Sequence, residues 1–206
     1  MFVGKYNKSV IMTYTGVAVS VTGFFFALNK SINYAILCLI VAGICDLFDG
    51  KIARMCKRTE EEKSFGVQID SLADMINFVA FPVIIAYSLG LTSWYHIAID
   101  IIFVLCAISR LGFFNITVQG CKKDEPLKYY SGLPVTYDAL IFPLVWLLSF
   151  VISPELFKAV YLLAVALTAL FFVLNIKIIK PKGAAYALFS AAAAAMIAFI
   201  VYTGVR

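Results

Sequence analysis

Seven apolar stretches follow one another along this chain, at 9–28, 33–54, 66–90, 94–118, 132–152, 155–178 and 183–204. An α-helix rises 1.5 Å per residue, so about 20 residues cross the roughly 30 Å hydrocarbon core of a bilayer. With 63% hydrophobic residues, 14% charged ones and a mean hydropathy of +0.94, the chain carries more apolar surface than a soluble domain can bury. These stretches predict an all-α fold, a polytopic transmembrane helical bundle of about seven spans that forms one integral membrane domain over residues 1–206. Lys5 and Lys8 precede a first stretch as long as the others and without a small-residue cleavage site, so it is expected to stay as a span rather than leave as a signal peptide.

Cationic residues orient such a bundle, because Lys and Arg accumulate on the cytoplasmic side. Threading through seven spans puts Lys5, Lys8, Lys51, Arg54, Lys57, Arg58, Lys63, Arg110 and the lysines of 119–131 and 177–182 on one side, against Lys30, Lys158 and Arg206 on the other. The N-terminus is therefore expected in the cytoplasm and the protein in the cell membrane, with membrane lipid as its surroundings. No separate basic domain exists for nucleic acid. Five cysteines without a CxxC pair (Cys38, Cys45, Cys56, Cys106, Cys121) and a single histidine, His96, argue against a disulfide framework or zinc chemistry. The segments 55–65 and 119–131 read as the long, charged cytoplasmic loops, able to cover a site that opens to the cytosol.

Against that apolar background stand four acids, Asp46, Asp49, Asp70 and Asp74. An ionised carboxylate at membrane depth loses several kcal/mol of hydration unless positive charge replaces the water, so it marks a functional site. Residues at i, i+3, i+4, i+7 and i+8 share one helical face, and Asp46, Asp49, Gly50, Ala53 and Arg54 follow that series. The next helix repeats the pattern with Gly66, Asp70, Asp74 and Asn77 at spacings of four, four and three. Two helices joined by a cytoplasmic loop can bring these faces together. Four converging carboxylates repel one another, and a pair of divalent cations bridged by shared oxygens relieves that repulsion. All-oxygen ligands favour magnesium, manganese or calcium. A two-metal site suits phosphoryl chemistry, the small Gly50 and Ala53 leave room for a nucleotide, and Arg54 can pair with phosphate.

The run Asp46-x2-Asp49-Gly50-x2-Ala53-Arg54-x11-Gly66-x3-Asp70-x3-Asp74 resembles the signature of the CDP-alcohol phosphatidyltransferases, membrane enzymes that transfer a phosphatidyl group from a CDP-linked lipid to an alcohol. The spacer before Gly66 is longer than the family's usual eight or nine residues, so the loop over the nucleotide is expected to be built differently. Asp70-Ser71-Leu72-Ala73-Asp74, Asn77-Phe78, Phe81-Pro82, Arg110 to Asn115 and Gly132-Leu133-Pro134 are similar to runs of the serine-using branch. The resemblance covers roughly residues 5–145 and implies a six-helix core, with the last two spans as scaffold.

Carried over residue by residue, the resemblance implies that Asp46, Asp49 and Asp70 hold one cation, and that Asp49, Asp70 and Asp74 hold or border a second. Mg2+ or Mn2+ is expected, with Ca2+ as a further option. Asp74 is the expected general base, taking the proton from the hydroxyl of L-serine as that oxygen attacks the lipid-side phosphorus of CDP-diacylglycerol, with CMP leaving. Gly50, Ala53, Arg54 and Gly66 are expected at the CDP moiety. The first span shows Thr13-Tyr14-Thr15 where the family often has an Asn near the cytidine, which makes Thr15 the candidate there. Arg110, Asn77 and Asn115 are the candidate serine contacts. The resemblance also implies a homodimer.

Rival acceptors are glycerol phosphate and inositol phosphate, whose phosphate calls for more basic residues than Arg54 and Arg110 supply; the donor's lipid could equally be an archaeol. From a different class, a proton or divalent-cation transporter also places acids in spans, but it gives no role to Gly50, Ala53, Arg54 and Gly66 at fixed offsets.

Overall fold

The computed structural model describes residues 4–5, 8–120, 129–179 and 184–204. Its helices are α1 (Lys8–Leu28), α2 (Ile32–Met55), α3 (Glu60–Asp74), α4 (Phe81–Ser88), α5 (Trp94–Gly120), α6 (Asp138–Leu147), α7 (Pro154–Val173) and α8 (Ala184–Gly204). A π-helical segment, Met75–Ala80, joins α3 to α4 in one unbroken helical path, so seven helical rods correspond to the seven apolar stretches. Four of them are long and apolar enough to cross a membrane: 10–28, 60–88, 94–117 and 154–173. The stretches 135–150 and 188–203 are shorter apolar helices. On α5 the exposed side chains Ile97, Ile101, Leu105 and Ile108 form a continuous apolar stripe, a surface suited to lipid.

Two boundaries differ from the sequence expectation. The segment 55–65 is not a long loop, because α3 starts at Glu60 and leaves a link of only Cys56–Thr59. A capping box explains the early start: Thr59 Oγ1 accepts from the Glu62 N–H (3.2 Å) while Glu62 Oε2 accepts from the Thr59 N–H (2.8 Å). The second difference is a two-stranded antiparallel ribbon, β1 (Tyr129–Ser131) with β2 (Lys177–Ile179), at the start of the fifth stretch and the end of the sixth. Residues 121–128, most of the other predicted loop, lie outside the described residues.

Small residues set the helix spacing, as expected where lipid removes the hydrophobic drive for helices to associate. A Cβ on Gly23 of α1 would lie 2.7 Å from Cys38 Cβ of α2 and 2.2 Å from the Phe81 ring. A Cβ on Gly43 of α2 would lie 2.4 Å from Ala139 Cβ of α6. Helix α2 is thus held between α1 on one side and α6 on the other. At the end of the bundle away from the acids, Lys30 Nζ donates to the Ser88 carbonyl (2.6 Å) and Trp146 Nε1 to Asn33 Oδ1 (2.9 Å). At the acidic end, Lys5 pairs with Glu61 (2.7 Å).

The ribbon places the loop that follows it. Gly132 has φ +77°, its N–H donates to the Ile176 carbonyl (2.9 Å), and the Leu133 N–H donates to the Phe171 carbonyl (2.9 Å). A Cβ on Gly132 would stand 2.6 Å from the Phe172 carbonyl oxygen, so this position needs glycine for both conformation and space. Gly132→Ala is expected to destabilise the protein by about 1–3 kcal/mol, read as a lower midpoint of thermal unfolding in detergent.

Candidate active site

Helix α2 delivers Asp46, Asp49, Gly50 and Ala53 on one stripe in its last three turns, and α3 returns antiparallel with Gly66, Asp70 and Asp74. The short Cys56–Thr59 link keeps the two stripes face to face. Carboxylate oxygens of Asp46, Asp49 and Asp70 all lie within 4.8 Å of one another. Thr13 of α1 donates its hydroxyl to Asp49 Oδ2 at 3.0 Å, which fixes that carboxylate from the far side. Asp74 is one turn beyond Asp70 and is buried.

The acids stand where two cavities meet, since Asp49, Gly50 and Asp70 line both. The larger, about 290 Å³, runs between α2, α5, α6 and α8. Its polar end holds Asp46, Asp74 and Arg110, and its walls include Ile40, Ile44, Leu140, Phe189 and Met196. The smaller, about 130 Å³, lies between α1, α2 and α3 and is lined by Thr13, Ala53, Arg58 and Gly66. Arg110 is buried, donates from Nε to the Leu133 carbonyl (3.0 Å) and stacks over Phe114, with 5.0 Å from its guanidinium carbon to the ring centroid. The Gly132 turn therefore positions Leu133, whose carbonyl helps hold this guanidinium at the cavity.

The model of the family described as CDP-alcohol phosphatidyltransferase matches residues 7–173. The chain belongs to the CDP-alcohol phosphatidyltransferase family. It is similar to the CDP-diacylglycerol–serine O-phosphatidyltransferase of Saccharomyces cerevisiae, with 38% identity over 47% of this chain and 35% of the yeast protein. The archaetidylserine synthase of Methanothermobacter thermautotrophicus is 32% identical over 68% of this chain and 57% of that protein. The CDP-diacylglycerol–serine O-phosphatidyltransferase of Bacillus subtilis is 28% identical over 63% of this chain and 67% of that protein. The matched part thus spans between about a third and two thirds of these relatives' lengths.

In this member of the family, the structure brings Asp46, Asp49, Gly50, Ala53, Gly66, Asp70, Asp74 and Arg110 to the paired cavities. It does not bring three other candidates there. Thr15 is exposed and its hydroxyl donates back to the Ile11 carbonyl (2.8 Å), whereas Thr13 faces the acids. Two residues along a helix turn the side chain by about 200°, so the two threonines point to opposite sides. Gly16, one turn after Thr13, packs against Cys45 and Ala42 of α2, and that small residue marks the inward face of α1 in the sequence. Asn77 is buried in the π-helical segment near Gly16 and lines neither cavity, because the wider π turn rotates it away from the Asp70–Asp74 stripe. Asn115 accepts from Ser71 Oγ (2.9 Å) and ties α5 to α3. The side chain of Arg54 lies outside the described residues.

Helix α8 adds something the sequence reading assigned to scaffold: Phe189, Ser190, Ala193 and Met196 wall the larger cavity. Thr136 and Tyr137 supply further polar groups from the turn before α6. No three-residue run announces these positions, since only long-range packing brings them to the acids. The donor set fits a divalent cation: three carboxylates at this separation offer oxygen only, and ordered hydroxyl support comes from Thr13.

Proposed function

We propose that this chain is a phosphatidylserine synthase, transferring the phosphatidyl group of CDP-diacylglycerol to the hydroxyl of L-serine and releasing CMP. The observation that carries the reading is the meeting of two cavities at one carboxylate cluster, with a buried acid and a buried arginine on the acceptor side. The relatives' names support serine as the acceptor.

Asp46, Asp49 and Asp70 would hold the divalent cations, which when bound neutralise phosphate oxygens and stabilise entering and leaving groups. Gly50 and Gly66 leave the smaller cavity open beside the backbone for the nucleotide end of the donor. Asp74 accepts the proton of the serine hydroxyl as that oxygen forms its bond to the lipid-side phosphorus, and the bond from that phosphorus to the CMP oxygen breaks. Arg110 forks onto the serine carboxylate, held in place by the Leu133 carbonyl and the Phe114 ring. The apolar walls from α2, α6 and α8 suit the first carbons of the lipid chains. The similarity to an archaetidylserine synthase favours an archaeol-linked donor as the second reading, with the same headgroup chemistry. The acids stand toward the end of the bundle where Lys5 meets Glu61, the end to which most lysines and arginines are assigned, and we infer that the site faces the cytoplasm.

A parallel acceptor screen tests this reading. Purified protein with CDP-diacylglycerol and Mn2+ is expected to release CMP with serine and not with glycerol 3-phosphate or inositol phosphate; the opposite preference would refute serine. Arg110→Ala is expected to raise the serine KM by roughly ten- to a hundredfold with the KM for CDP-lipid little changed, as read from initial rates. An unchanged serine KM would remove Arg110 from the acceptor pocket.

A further inference from the structure

The link between α2 and α3 carries Lys57 and Arg58, and the two behave differently. Lys57 is exposed, while Arg58 is drawn inward and lines the smaller cavity with Thr13, Gly50, Gly66 and the acids Asp49 and Asp70. Its Nη1 lies 3.4 Å from the place a Cβ would occupy on Gly66, so the guanidinium rests against that bare glycine. Arg58 Nε is buried and has no hydrogen-bond partner among the described residues. Burying a guanidinium N–H without an acceptor costs free energy, and here two carboxylates share the cavity yet neither forms an ion pair with Arg58. A cation and acids that line one cavity without pairing suit a ligand that is itself anionic and metal-bound: the acids take the cation, and the arginine takes the anion.

The position follows from the link between Met55 and Glu60. Eleven residues separate Arg54 from Gly66, and within them α3 starts at the Thr59 capping box. That box fixes the residue next to Arg58, which limits where the guanidinium can go. Resting on the proposed use of a CDP-linked donor, we infer that Arg58 binds the diphosphate of that donor from the nucleotide side. A planar guanidinium offers paired N–H donors that match phosphate oxygens, which a lysine ammonium matches less well.

CDP itself, without lipid, is the probe. Its binding to the purified wild-type protein in neutral detergent with Mn2+ is measured by calorimetry and compared with Arg58→Ala and Arg58→Lys. The expected result is a rise in Kd of roughly ten- to a hundredfold for Arg58→Ala, a smaller rise for Arg58→Lys, no change in binding of cytidine, which has no phosphate, and an unchanged serine KM. Thermal unfolding without nucleotide, unchanged in Arg58→Lys, separates a lost contact from a lost fold. A Kd for CDP within twofold of wild type in Arg58→Ala would overturn the inference, as would a loss confined to vesicles of anionic lipid, which would make Arg58 a membrane contact. Failure of the wild-type protein to bind CDP at all would instead refute the proposed donor.

Discussion

Asp74→Asn is expected to lower turnover by about 10²- to 10⁴-fold, the usual contribution of a positioned general base, while binding of CDP with Mn2+ stays within a few fold of wild type. The substitution keeps the shape of a buried side chain, so it removes the proton acceptor without opening a cavity. Asp74 lines the larger cavity with Arg110, away from the smaller one where Gly66 and Arg58 sit, and it is not among the three acids clustered within 4.8 Å. Proton transfer and nucleotide binding should therefore separate in this variant. Steady-state rates of CMP release, set beside CDP titrations, make the comparison, and wild-type turnover by the variant would refute the assignment of the base.

Asp70→Asn should behave differently, because Asp70 lines both cavities and belongs to the three-acid cluster. Losing a negative ligand weakens cation binding, and cation stabilisation of the reacting phosphate is worth several kcal/mol. A fall in kcat/KM of about a thousandfold or more is expected, together with a higher Mn2+ concentration for half-maximal activity. Direct Mn2+ binding by electron paramagnetic resonance checks the cause independently of turnover. Wild-type Mn2+ affinity in Asp70→Asn would place the cations elsewhere.

The acidic stripes were legible because helical periodicity needs no tertiary information: spacings of three and four residues put Asp46 with Asp49 and Asp70 with Asp74 whatever surrounds them. The inward phase of α1 was harder to read, and only the packing of Gly16 on α2 chooses Thr13 over Thr15. Charge density made Glu60–Glu61–Glu62 look like loop, although Thr59-x-x-Glu62 is a helix-start signal that the structure uses. Pro82 marked the other departure: it lacks an N–H, and the helical path absorbs this with a π segment just before it that turns Asn77 out of line. The ribbon between β1 and β2 joins residues some fifty positions apart in triplets too short for any pattern, so Leu133's support of Arg110 had no local signature.

The most direct test follows the serine itself. Purified protein in detergent is given CDP-diacylglycerol, radiolabelled L-serine and Mn2+, and both the solvent-extractable label and the CMP are counted. A phosphatidyl transfer to serine predicts lipid-borne label and CMP in equal amounts, both abolished by chelating the metal. CMP release without label in lipid, or neither product from folded protein, would contradict it.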